Sequence, residues 1–129
     1  MNILLMDDED QVRKVTARML EFLGHTVTDV ADGHDVLEVY RNNTDDCGGF
    51  DFVILDIMVD CGLGGKETLK ELLAIDPSVR AVAMSGFVEG IDAKEFQRHG
   101  FRWILPKPLS LEELQAVLLE IHREVRQEV

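Results

Sequence analysis

Five short apolar runs, at residues 3–6, 26–30, 52–55, 79–84 and 101–105, recur along this chain, each bounded by charge or glycine. Their length and their branched, apolar character make each a strand. Between them the apolar spacing changes to threes and fours: Val12, Val15, Met19 and Leu23, then Val36, Leu37 and Tyr40, then Leu69, Leu72 and Leu73 each fall on one helical face. A weaker helix is predicted over residues 90–98. The last, over residues 111–126, carries a continuous stripe of Leu111, Leu114, Leu118, Ile121 and Val125 behind a Ser110 cap, and is read as core packing. Gly24, the Asp76-Pro77 pair and Gly100 supply helix stops at the right places. Strands alternating with helices at this spacing predict a doubly wound α/β domain. Right-handed crossovers bury both faces of a parallel sheet, which explains why the central runs are almost wholly apolar.

Composition then narrows the function. The 129 residues fit one domain, and a hydrophobic fraction of 46% supports an ordinary core. With 25 acidic against 13 basic side chains the formal charge is -12, which argues against unaided binding to nucleic acid or an anionic membrane. The acidity is uneven: residues 1–64 hold 14 acidic and 4 basic side chains, residues 65–129 hold 11 and 9. Cys47 and Cys61 match neither a metal knuckle nor a CxxC redox pair, and His25, His34, His99 and His122 form no zinc-binding unit. No secretory leader or membrane-spanning run is evident, so a cytoplasmic protein is expected.

In a parallel sheet, functional groups collect at the carboxyl ends of the strands. Asp7 and Asp8 follow the first strand, Asp56 ends the third, Ser85 follows the fourth and Lys107 follows the fifth. Several carboxylates at one sheet edge repel unless a cation neutralises them. An oxygen-rich site of this kind suits Mg²⁺, with Mn²⁺ as the alternative, and Lys107 is the complementary mobile cation. Asp56, at the end of the central apolar run, is the best candidate for a carboxylate that attacks phosphorus.

The residues that carry this site, Asp7-Asp8-Glu9, the run Val-Ile-Leu-Asp ending at Asp56, Met84-Ser85-Gly86 and Pro106-Lys107-Pro108, resemble the receiver domains of bacterial response regulators and hybrid histidine kinases over essentially the whole chain. The resemblance implies a flavodoxin-like sheet of order 2-1-3-4-5 and a phosphoacceptor domain of a two-component phosphorelay. It further implies that Asp56 is phosphorylated, that Asp8 and Asp56 ligate Mg²⁺ while Asp7 organises the metal, and that Met58 contributes its backbone carbonyl. Ser85 would contact the phosphoryl group by its hydroxyl, and Lys107 would pair with a carboxylate or the phosphoryl oxygens. The implied donor is a phosphohistidine on a sensor kinase or histidine phosphotransfer domain, and the implied output is an altered interface with a fused or separate effector. The only chemistry expected is self-phosphorylation and autodephosphorylation.

Two departures stand out. Asp60 occupies a position where family members commonly have proline, and Gly64-Gly65 precede Lys66, so an unusually mobile loop is expected there. Ile104 stands three residues before Lys107, where the family usually has an aromatic switch residue; Trp103, its neighbour, points to the other sheet face and is expected to pack or to bind a partner. Other readings fail on spacing. A phosphate loop aligned on Gly65-Lys66 would need glycine at Asp60 and a hydroxyl at Glu67, and a haloacid-dehalogenase-like phosphatase would need a second acid at Met58. The remaining alternative is a receiver-like interaction domain that is not phosphorylated.

Overall fold

In the computed structural model, residues 1–43, 49–57, 64–86 and 93–127 are described. Five strands, β1 (Asn2–Met6), β2 (Thr26–Val30), β3 (Phe52–Asp56), β4 (Ala81–Ser85) and β5 (Trp103–Pro106), alternate with α1 (Asp10–Phe22), α2 (Gly33–Asn43), α3 (Gly65–Ile75), α4 (Ala93–His99) and α5 (Leu111–Gln127). All strand pairs are parallel, in the order β2-β1-β3-β4-β5. The sheet is the flavodoxin-like one anticipated from the sequence.

Strand alternation sorts the core into two layers. Leu4, Met6, Val53, Leu55, Ala81 and Ala83 face α2, α3 and α4, where Val36, Leu37, Tyr40, Leu69, Leu72 and Phe96 cover them. Ile3, Leu5, Phe52, Ile54, Val82 and Met84 face Ala17 and Leu20 of α1 and Leu114, Leu118 and Ile121 of α5. Every residue of β3 and β4 is buried, as expected of central strands covered on both faces. Trp103 and Ile104 fall in opposite layers, and Trp103 packs, its indole N–H donating to Glu120 on α5 at 3.1 Å.

The punctuation works as its chemistry requires. Gly24 and Gly100 follow α1 and α4 at φ of 94° and 105°, a backbone region that only glycine enters freely. Ser110 Oγ accepts the Glu113 amide at 3.1 Å, capping α5. The C-cap of α3 is Asp76, just before Pro77. The fourth helix begins at Ala93, and the start expected at residue 90 lies outside the described residues.

Two expectations about apolar stripes need correction. The buried residues of α1 are Thr16, Ala17 and Leu20; Val12, Met19 and Leu23 are only partly covered, and Val15 is 59% exposed. The face turned to the sheet carries the small Thr16 and Ala17 with Leu20, and the buried Thr16 hydroxyl is satisfied by donating to the Val12 carbonyl at 2.9 Å. Likewise Leu111 at the start of α5 is 38% exposed and outside the core to which its stripe assigned it.

Candidate functional site

The site sits at the carboxyl edge of the sheet because parallel register brings the strand ends together. Met6 pairs with Leu55, Asp56 with Met84, and Ser85 with Pro106. Backbone bonds continue the ladder beyond the strands: the Asp7 amide donates to Val30, Ile57 to Met84 and Lys107 to Ser85. Asp7, Asp56, Ser85 and Lys107, distant in sequence, are therefore fixed on neighbouring strands by main-chain bonds rather than by side-chain packing.

Asp7, Asp8 and Asp56 each offer a carboxylate oxygen within 4.8 Å of the others. Asp7 and Asp56 are buried, and Asp8 is half-buried. The Lys107 ammonium donates to Asp56 Oδ2 at 3.1 Å and lies 3.0 Å from Asp7 Oδ2. Burial by itself would push the Lys107 ammonium down, but its bonds to Asp7 and Asp56 and their charges outweigh that and hold it above its ordinary range. Three carboxylates facing one ammonium leave two formal negative charges in a poorly solvated place, the charge of one divalent cation.

The donor set fits such an ion. Asp7 Oδ2 is buried and meets the Lys107 ammonium 3.0 Å away as an ion pair, and a carboxylate has further lone pairs to offer a metal ion. Hard carboxylate oxygens match Mg²⁺ rather than a softer metal. Met58, the expected carbonyl donor, and Asp60 lie outside the described residues. Ser85 is buried at the end of β4.

Two contributors were not anticipated. Arg13 Nη1 donates to the Asp7 carbonyl at 2.9 Å, while its Nε and Nη2 hold Asp29 and Asp10. The acidic run followed by arginine three residues after Asp10 was the available signal. Gly65 is the second. A Cβ there would stand 2.7 Å from the Asp56 carbonyl oxygen, so the glycine lets the first turn of α3 press against the strand end that carries Asp56. Gly64 is the N-cap of α3, and its carbonyl accepts both the amide and the hydroxyl of Thr68; residues 58–63 of the loop expected to be mobile lie outside the described residues.

Fold and site together define a class: a doubly wound α/β domain with an acidic, cation-seeking pocket, closed by one lysine, at the carboxyl edge of its sheet. The particular family follows from comparison. Residues 3–119 match the family model of the response regulator receiver domain, and the chain belongs to that family. It is 32% identical over 120 residues to the sensor kinase CckA of Brucella abortus, covering 92% of this chain and 12% of that protein. It is 33% identical over 120 residues to the response regulator MprA of a Mycobacterium species, covering 88% of this chain and 47% of that one. The chain thus spans less than half the length of these relatives. A receiver-domain crystal structure from Clostridium thermocellum shares the fold at a TM-score of 0.86 and 23% identity, covering 99% and 98% of the two chains. The receiver domain of NtrX from Brucella abortus superposes at 0.81 with 26% identity, covering 92% and 96%. Among the described residues no helix is long and apolar enough to cross a membrane.

Proposed function

We propose that this receiver accepts a phosphoryl group on Asp56 from a phosphohistidine, presented by a sensor kinase or a histidine phosphotransfer domain, and that the change alters its interface with an effector. The observation that carries the reading is the pairing of buried Asp56 with Lys107 beside Asp7 and Asp8. An Asp56 oxygen attacks phosphorus in line while the phosphorus–nitrogen bond breaks, and the imidazole leaves with the bonding pair and takes up a proton from solvent. Lys107, already held protonated, shifts from a carboxylate to a phosphoryl oxygen as charge moves outward, and the Ser85 hydroxyl donates to another. Asp7, Asp8 and Asp56, with the Met58 carbonyl, would hold Mg²⁺, which supplies charge neutralisation for the phosphoryl oxygens. Hydrolysis of the acyl phosphate at the same site returns the domain to its starting state.

A groove of about 590 Å³ opens beside Lys107, between Val12, Thr16 and Met19 of α1 and Pro108 and Leu109 after β5. It gives a donor protein apolar footing next to the reacting carboxylate. The test is incubation with acetyl phosphate and Mg²⁺, read by intact mass. One alkali-labile phosphoryl group should be added, and it should be lost with EDTA or in Asp56→Ala. An unmodified chain, or the same modification in Asp56→Ala, rejects the assignment in favour of an interaction domain that is not phosphorylated.

A further inference from the structure

Each nitrogen of the Arg13 guanidinium has a different partner. Nη1 donates to the Asp7 carbonyl oxygen at 2.9 Å, Nε donates to Asp29 Oδ2 at 2.9 Å, and Nη2 lies 2.8 Å from Asp10 Oδ1. Those partners stand on three parts of the fold: the residue after β1, the strand β2 and the first turn of α1. The Arg13 side chain is only 14% exposed, so the contacts are sheltered from water although Asp10 itself is not. A planar fork with its donors in fixed directions can hold three such points together, which a lysine ammonium on its flexible stem does not reproduce.

What the fork holds is the peptide that leads into Asp8. The Asp7 carbonyl lies in one rigid plane with the amide nitrogen and Cα of Asp8. The chain is pinned on both sides of that plane: the Asp7 amide donates to the Val30 carbonyl at 3.1 Å, and the Glu9 amide donates to Asp7 Oδ1 at 2.9 Å. Glu9 is in turn the N-cap of α1, and its carbonyl accepts the Arg13 amide at 2.9 Å. The bond from Nη1 completes this frame by fixing the tilt of the plane between the two aspartates. That tilt sets the direction in which the half-buried Asp8 carboxylate leaves the chain to meet those of Asp7 and Asp56.

We propose that Arg13 is a positioning residue of the cation site: by gripping the Asp7 carbonyl it keeps Asp8 aimed at the ion, and so sets how tightly Mg²⁺ is held. The proposal rests on the reading of Asp7, Asp8 and Asp56 as the carboxylate ligands of that ion. Charge gives it a sign of its own. The guanidinium is matched by Asp10 and Asp29, so it acts as a strut rather than as a competing cation. Removing it leaves two carboxylates without their arginine, and the more negative surroundings would by themselves draw a divalent cation more strongly. Weaker binding after that change therefore reports lost geometry, not lost charge.

Mn²⁺ is the probe, because the free ion is counted directly by electron paramagnetic resonance and shares the oxygen preference of Mg²⁺. Titration of the whole chain should show one site, and Arg13→Met should raise its dissociation constant about tenfold, the usual size when a group that orients a metal ligand is lost. Arg13→Lys, which keeps the charge and loses the fork, should weaken binding nearly as much, and it decides the matter if Arg13→Met does not fold. A merely structural arginine would lower the thermal midpoint in EDTA and leave the Mn²⁺ constant of the folded chain where it is. With acetyl phosphate as donor, the Mg²⁺ concentration for half-maximal phosphorylation should rise by the same factor, while the rate at saturating Mg²⁺ stays within about twofold of the parent. Unchanged or tighter Mn²⁺ binding in the folded variants, or full recovery in Arg13→Lys, overturns the proposal and leaves the cation site itself intact. A parent chain that binds no Mn²⁺ overturns the cation site and the proposal with it.

Discussion

Lys107 shows how much one residue carries here. Replacing it with methionine would leave Asp7 and Asp56 as buried carboxylates without their cation, and losing one partner of a buried pair costs about 3–5 kcal/mol. The expected outcome is a large fall in urea stability in EDTA that Mg²⁺ partly restores, with a greater Mg²⁺ response than the parent chain shows. The pH dependence has a definite sign. Because the folded-state value is raised above the usual 10.5, the lysine's contribution is complete below that pH and disappears as pH rises through the folded value. A second pair sits at the opposite edge of the sheet, where the Tyr40 hydroxyl donates to Asp76 Oδ2 at 2.5 Å. Burial alone would push the Asp76 carboxyl up, but bonds from Tyr40 and Ser78 and the charge of Arg80 outweigh it and leave it below its usual 3.8. Its stabilisation is therefore present above that pH and lost as pH falls through the lower folded value. Tyr40→Phe should cost about 1–2 kcal/mol at pH 7, and the difference between the two chains should shrink in denaturation measured as the pH is lowered below the usual 3.8 of the carboxyl.

At the scale of elements, two glycines separate strain from sterics. Gly24 has a positive φ but nothing within 4 Å of where a Cβ would stand, so Gly24→Ala should cost only the backbone term, about 1–2 kcal/mol. Gly65 has the reverse problem. Alanine there collides with the Asp56 carbonyl, so Gly65→Ala should cost about 1–3 kcal/mol and also slow phosphorylation from acetyl phosphate, because the strand end must shift. A variant as stable and as reactive as the parent would show that α3 yields freely. Helix stops at Gly24 and Gly100 and the Ser110 cap were legible in the sequence because each depends on local geometry. The buried face of α1 was not. Hydrophobicity alone favours Val12, Val15, Met19 and Leu23, whereas the face that packs on the sheet carries Thr16, Ala17 and Leu20.

For the whole molecule, the uneven acidity acquires a partial location. Asp7, Asp8 and Asp56 gather at one edge, with Lys107 as their internal cation. Mg²⁺ that binds only the folded chain should raise its unfolding free energy by about 2.7 kcal/mol at a hundredfold excess over its dissociation constant. Thermal melts with and without Mg²⁺ check this, and Asp8→Asn should abolish most of the shift. What the sequence alone determined was the alternation of strands and helices, the placement of Asp7, Asp8, Asp56, Ser85 and Lys107 at or just after the strand ends, and the helix ends, since these follow from periodicity, strand position and backbone preference. Tertiary structure decided which oxygens meet Lys107, why Gly65 must be small, that Arg13 grips the Asp7 carbonyl, and which apolar side chains of α1 and α5 stay outside the core. Those depend on the register between strands distant in sequence and on how closely each helix approaches the sheet, and no local pattern encodes either distance.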